Sequence, residues 1–230
     1  NAKFCIGVAS GTDALRTALL ACGIKGGDEI ITTPISYTAT SLAIAHCGAK
    51  PVFVDVLEDG NINPSKIEEA VNKKTKAILT VHMYGNPCEI DKIKKIAKKH
   101  KLFLIDDCAH AHGAKYKGKP IGGLTDISCF SFYPTKNLGA WGDGGAITTN
   151  DKNLYEKARL FKNFGGVNKD YSEVLGYNSK LDTIQASVLN EKLRNLNKLN
   201  KKRQVLAKQY TEKLKGIGDI KTLPFSKNCS

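Results

Sequence analysis

The chain lacks the features that would place it in a membrane, a disulfide framework or a repeat array. No apolar run approaches the roughly 20 residues of a membrane-spanning helix. Its seven cysteines form no CxxC pair. That odd, scattered count reads as free thiols in a reducing cytoplasm. No internal repeat or low-complexity linker is present. Acidic residues are few: 22 Asp and Glu stand against 35 Lys and Arg, a formal net charge of +13. Such an excess can attract nucleic acid or anionic metabolites. The lysines here are spread over amphipathic stretches and read as solvated faces, so neither nucleic-acid nor membrane partners are expected. The chain has no initiator Met and no signal-peptide pattern. It stops on Phe225-Ser226-Lys227-Asn228-Cys229-Ser230, which closes no element. The expectation is a fragment of a longer cytoplasmic protein.

What is present is an ordinary globular composition, 41% hydrophobic and 25% charged over 230 residues, enough for a large domain with its own core. Short apolar runs alternate with amphipathic stretches. Strands are expected at 3–8, 29–33, 51–56, 76–82, 102–106, 127–132 and 145–149. Helices are expected at 12–22, 38–47 and 64–71, then around Ile90, Ile93, Ile96 and Ala97, then at 151–162. This alternation predicts an α/β domain with a mostly parallel sheet. Near Thr183 one long helical region begins, with Leu189, Leu193, Leu196 and Leu199 at helical spacing and its Lys and Arg on the wet face.

A few residues stand out chemically. Lys136 lies in Phe130-Ser131-Phe132-Tyr133-Pro134-Thr135-Lys136-Asn137-Leu138-Gly139, between aromatics and a glycine-rich run. Partial desolvation there would lower the pKa of its amine and make it a better nucleophile; the alternative is one more surface lysine. Asp107 follows a buried-looking strand, where α/β proteins place ligands; taken alone it reads as a capping residue at a strand-to-loop junction. A lysine that can hold an aldehyde and a carboxylate that can hold a pyridinium nitrogen are together the protein's share of pyridoxal phosphate chemistry. Ser10-Gly11-Thr12 opens a helix after a strand, a place that favours phosphate and is also an ordinary N-cap. Tyr37 could stack on a flat heterocycle or pack in the core. Cys108, His110 and His112 suggest a metal; the two histidines could face one way on an extended segment, but a third ligand with suitable spacing is absent, and no metal is expected.

Taken together, these segments resemble the DegT/StrS-type sugar aminotransferases, pyridoxal 5'-phosphate enzymes of fold type I. The matching pieces run in order: SGTDAL at 10–15, PISYTAT at 34–40, TKAILTVHMYGNP from Thr75, DDCAHAHGA at 106–114, FSFYPTKNLGAWGDGG at 130–145, and LGYNSKLDTIQASVL at 175–189. The resemblance implies a three-layer α/β/α large domain over 1–182. It also implies a connecting helix and the start of a truncated small domain over 183–230. Lys136 then corresponds to the Schiff-base lysine and Asp107 to the partner of the pyridine nitrogen. Gly11, Thr12 and Ser131 correspond to phosphate ligands, Tyr37 to the ring-stacking aromatic, and His110 to a residue beside the cofactor hydroxyl. Asn178 corresponds to a residue reaching the phosphate of a neighbouring subunit, which implies a homodimer with shared active sites. The implied reaction moves an amino group from a donor such as glutamate to a keto sugar, nucleotide-linked in that family. Gln is frequent at the position of His110, and Arg at that of Lys180. A cyclitol or aminohydroxybenzoate-type aminotransferase, or another pyridoxal phosphate reaction, is the alternative within enzymes. A basic nucleic-acid-binding or regulatory protein on the same scaffold is the alternative outside them.

Overall fold

The computed structural model describes residues 2–166 and 170–225; the last five residues of the chain end noted above lie outside them. Seven strands form one sheet: β1 (Phe4–Val8), β2 (Glu29–Thr32), β3 (Lys50–Phe53), β4 (Thr75–Val81), β5 (Phe103–Asp107), β8 (Ile127–Ser131) and β9 (Gly145–Thr149). Two short strands, β6 (Lys115–Tyr116) and β7 (Lys119–Pro120), make a separate hairpin that the sequence pattern does not announce. The sheet order is β1-β9-β8-β5-β4-β2-β3. Only β9 runs against its neighbours; the other strands are parallel. Val8, Thr32, Val81, Asp107 and Ser131 therefore finish their strands at one edge of the sheet.

Helices cover both faces. On one side lie α1 (Gly11–Ala21), α2 (Ala39–His46) and α5 (Lys152–Lys162), sharing a core with Ile6, Val8, Ile30, Leu79, Ile105 and Ile147. On the other lie α3 (Pro64–Ala70) and α4 (Ile90–His100), over Ile31, Ile78 and Leu104. This is the expected three-layer α/β/α arrangement. Strands β4 and β5 are apolar on both faces because both are covered. Helix α4 turns Ile90, Ile93 and Ala97 inward and its lysines outward, and stops on Lys101 in the left-handed conformation. Ser10 starts α1 by accepting the Asp13 N–H at 3.1 Å, and Asp151 starts α5 by accepting from Asn153 and Leu154.

The long helical region past Thr183 is two helices, α6 (Thr183–Leu193) and α7 (Leu196–Leu214). The break falls at Arg194 and Asn195, where a weak helix former leaves the chain free to turn. Of the four leucines in the expected stripe, Leu189 and Leu196 are buried against Leu138 and Ala140. Leu193 and Leu199 are exposed. The stripe is thus two buried leucines seven positions apart across a break, not one continuous face.

Candidate active site

Asp107 is the last residue of β5, one position inside the strand rather than past it. Successive side chains of a strand point to opposite faces, so the paired carboxylates part company. Asp107 accepts from the Thr40 hydroxyl at 2.9 Å and from the Ala109 N–H at 3.0 Å. The Ser36 and Thr40 hydroxyls lie 2.7 Å apart. Because Thr40 spends its proton on Asp107, Ser36 donates to Thr40. Burial raises the pKa of Asp107; the Ala109 and Thr40 donors, then His110 and Lys136, pull the other way without cancelling it.

Asp106 faces a separate network. It accepts from Thr80 and Thr125, each at 2.7 Å, and lies 3.4 Å from His82 Nε2. Burial alone would raise its pKa; His82 and the two hydroxyls outweigh that and hold it below the usual carboxylate range. His82 Nδ1 in turn accepts the Cys88 N–H at 3.2 Å. Among the described residues, His82, Asp106 and Cys108 are the one group with metal-ligand atoms close together. His110 and His112 are not part of it. The Cys108 thiol is pushed up to about 12 by burial, and Asp106 is already supplied with donors, so the group reads as a structural network under the sheet edge.

Lys136 sits in the loop between β8 and β9. That loop is closed by Phe132 N–H to Gly144 O at 2.8 Å, Ala140 N–H to Phe132 O at 2.8 Å, and Lys136 N–H to Tyr133 O at 2.9 Å. The side chain is half-buried. Desolvation lowers its pKa, and Asp107 opposes that shift. His110 is lowered too, by burial and then by the Lys136 charge. Lys136, Asp107 and His110 thus lie close enough to perturb one another. His112 is buried between the Phe130 and Phe132 rings, and burial brings its pKa to about 4.

Beside this group, α1 begins. Ser10 caps the Asp13 N–H and Ala14 bonds back to Ser10 O, so the N–H groups of Gly11 and Thr12 are the ones left outside the helix ladder. A Cβ on Gly11 would stand 2.5 Å from Ser131 Cβ, and one on Gly145 would stand 2.3 Å from Ser10 O. Both positions need glycine for close approach. The expected Gly11, Thr12 and Ser131 are therefore brought to one spot. Asp13, just beyond, holds Arg16 at 2.7 Å and accepts from Ser179 at 2.8 Å. Arg16 lies 3.7 Å over the Tyr177 ring. These contacts dock residues 177–179 on α1 and leave Asn178 exposed between them. Tyr37 is 73% exposed, which rules out core packing. No contact among the described residues joins Tyr37 or Asn178 to Lys136 or Asp107. Lys180 lies over the Phe164 ring at 5.3 Å.

A cavity of about 750 Å³ opens beside Lys136, walled by Tyr84, His110 and His112 and, from α7, by Asn200, Lys201 and Arg203. Lys201 and Arg203, expected on the wet face of the helix, are exposed and also border the cavity. Asn200 donates to His112 O at 2.7 Å and accepts from Asn137 at 3.1 Å. It ties α7 to both the histidine loop and the lysine loop. Sequence reasoning missed Ser36, Thr40, Tyr84 and Asn200. Ser36 and Thr40 lie inside the PISYTAT segment already singled out, so hydroxyls beside the aromatic were the available signal. Asn200 carried none.

A mostly parallel sheet with a desolvated lysine, a buried carboxylate and a glycine-bounded helix N-terminus at one edge is the arrangement of the type I aminotransferase class. The chain belongs to the DegT/DnrJ/EryC1/StrS aminotransferase family, whose model matches residues 1–230. Two relatives illustrate the range of names. A dTDP-3-amino-3,6-dideoxy-α-D-galactopyranose transaminase of Aneurinibacillus thermoaerophilus is 49% identical over 216 residues, covering 94% of this chain and 60% of the relative. A pleiotropic regulatory protein of Geobacillus stearothermophilus is 48% identical over 226 residues, covering 97% and 61%. The crystal structure of Streptomyces venezuelae DesV with a ketimine intermediate superposes with a TM-score of 0.97 at 40% identity, covering all of this chain and 62% of DesV. The chain thus spans about three fifths of the length of the proteins it matches.

Proposed function

We propose that the protein carrying this chain transfers an amino group from an amino acid such as glutamate to a keto sugar, nucleotide-linked as in the names of several relatives. The observation that carries the reading is the opposed perturbation of two groups in one site: burial lowers the Lys136 amine and raises the Asp107 carboxyl. An amine made easier to deprotonate is a nucleophile and a proton carrier. A buried carboxylate costs free energy unless a cation meets it.

Pyridoxal phosphate fits these residues. Its phosphate suits the free N–H groups of Gly11 and Thr12, beside Ser131 at a helix N-terminus, where glycine leaves the room that a Cβ would fill. Its protonated ring nitrogen suits Asp107. When bound, the cofactor supplies an aldehyde for amine exchange and a ring that accepts electrons. Lys136 would hold the aldehyde and, once the donor amine takes its place, would serve as the base and acid that moves the proton. Asp107 keeps the ring nitrogen protonated, with Thr40 and Ser36 behind it. His110 would sit beside the ring hydroxyl. Tyr37 and Asn178 are exposed; in this proposal Tyr37 stacks on the cofactor ring, and Asn178 reaches the partner's phosphate in a homodimer with shared sites. The large domain is taken as 1–182, with 183–230 leading into the remainder of the longer protein.

The test uses full-length protein. Donor-dependent amination of nucleotide-linked keto sugars is expected, with pyridoxal phosphate fixed by borohydride onto Lys136 and no fixation in Lys136→Ala. Fixation or turnover unchanged in Lys136→Ala removes the assignment. The relative named as a regulatory protein sustains a second reading. Salt-sensitive DNA binding without cofactor, together with no turnover of any donor, would favour it.

A further inference from the structure

Tyr84 stands at φ 54° and ψ 20°, in the left-handed region. A bulky side chain there is an outlier that costs the fold free energy. Among the described residues, three other non-glycine residues share a positive φ: Lys101, Lys117 and Phe164. Lys101 ends α4, Lys117 turns the β6–β7 hairpin, and the Phe164 ring is engaged by Lys180. Tyr84 caps no helix and turns no hairpin. Its turn is held from several sides. His82 N–H bonds to Asp107 O at 3.1 Å, Gly85 N–H to His82 O at 3.2 Å, and Asn86 N–H to Met83 O at 2.9 Å. Asn61 braces the same turn by accepting the Met83 N–H and donating to Asn86 O. The next residue, Gly85, is also at positive φ, and a Cβ there would press on His110 O at 3.2 Å.

For all this, the ring is not used for packing. It is 62% exposed and its ring neighbour is His110, with centroids 6.3 Å apart and planes 21° from parallel. Both rings line the cavity that holds Lys136. A strained backbone that throws an aromatic face into a cavity, braced by the same strand end that carries Asp107, serves what enters the cavity.

Building on the proposed function, we propose that Tyr84 is a specificity-determining residue for the acceptor: its ring is the wall on which the C–H face of the sugar rests. The donor offers that wall little, since a small amino acid is recognised by its charges. A sugar ring presents apolar C–H groups to the electron-rich face of an aromatic, and the larger of the two substrates reaches the cavity mouth.

The experiment uses full-length holoenzyme and two half-reactions measured separately. One probe is L-glutamate. The others are dTDP-3-amino-3,6-dideoxy-α-D-galactopyranose and dTDP-3-amino-3,4,6-trideoxy-α-D-glucose, run in the reverse direction. In Tyr84→Gly, kcat/KM for the sugar is expected to fall about ten-fold or more, the loss of one stacked contact. The glutamate half-reaction should stay within about two-fold. The Tm should hold or rise, because glycine accepts the positive φ. Tyr84→Phe should retain the sugar half-reaction, since it keeps the ring. The proposal is overturned if sugar and glutamate rates fall together, if Phe fails as Gly does, or if the Gly variant loses Tm. It is also overturned if sedimentation shows that the Gly variant dissociates, which would make the ring a subunit contact. Glutamate turnover with neither sugar accepted defeats this inference and leaves transamination standing. No turnover of any amino acid donor in the unsubstituted protein defeats the proposed function itself.

Discussion

Replacing Thr40 by Val tests how the fold keeps a buried carboxylate in reserve. The two side chains have nearly the same shape, and Thr40 is buried, so the change removes a hydroxyl and little else. It deletes the 2.9 Å bond to Asp107 Oδ2 and leaves the Ala109 N–H as the remaining donor named for that carboxyl. A hydrogen bond to a charged group contributes about 1.5–3 kcal/mol, which corresponds to about 1–2 pH units. The Asp107 pKa, already raised by burial, should rise further by that amount.

The sign follows from linkage. A carboxyl with a raised pKa in the folded state holds its proton after the unfolded chain has lost it. Its favourable contribution is complete below about pH 3.9 and is lost as pH rises through the folded pKa. In Thr40→Val the loss continues over a further 1–2 pH units. The stability deficit against the parent should therefore be smallest in acid and reach about 1.5–3 kcal/mol above the midpoint of the variant. The loss of the Ser36 contact adds a deficit that does not vary with pH. Apo full-length protein labelled with 13C at the aspartate carboxyls gives the Asp107 midpoint by NMR, and denaturant melts across the same pH range give the deficit. Adding pyridoxal phosphate should lower the midpoint, since a nearby cation favours the ionised form. A deficit flat with pH, or an unmoved midpoint, refutes the reasoning.

Three further outcomes are expected. Gly11→Ala places a Cβ against Ser131, which should cost about 1–3 kcal/mol of stability and weaken pyridoxal phosphate binding, checked by thermal melts and cofactor titration. His112 has its pKa depressed to about 4, so its contribution is complete above about pH 6.5 and lost as pH falls toward 4; that loss is about 3 kcal/mol in the parent and should vanish in His112→Leu, measured by denaturant melts across that range. Finally, Lys136→Ala and Asn178→Ala subunits, inactive alone, should recover roughly a quarter of parental activity when mixed. About half the dimers are then mixed and each has one intact site; no recovery after verified subunit exchange assigns Asn178 to its own subunit.

Much of this protein can be read from residue order. Alternating apolar runs separate strands from helices because a buried strand and an amphipathic helix repeat with different periods. The expected strands and helices up to Lys162 fall within a few residues of those found. Glycine and aromatic neighbours single out Lys136, and a strand end singles out Asp107, because those chemistries depend on near neighbours in the chain. Other features depend on residues far apart. Asp106 and Asp107 are adjacent and alike in type, yet one is held below its usual range and the other is raised. The strand pleat sends them to different faces, and distant partners do the rest: His82 and two hydroxyls for one, Thr40 and the lysine loop for the other. Asn200 reached the site only because α7 folds back across two loops, 63 and 88 positions away in the chain. Tyr84 needed its backbone angle, set by bonds to Asn61 and to the end of β5, before its ring could matter. The sequence by itself determined which elements form and which groups have reactive chemistry, since both follow from local composition. Tertiary structure alone decided which charges are buried together, because desolvation and hydrogen-bond partners are supplied by the segments that close over a group.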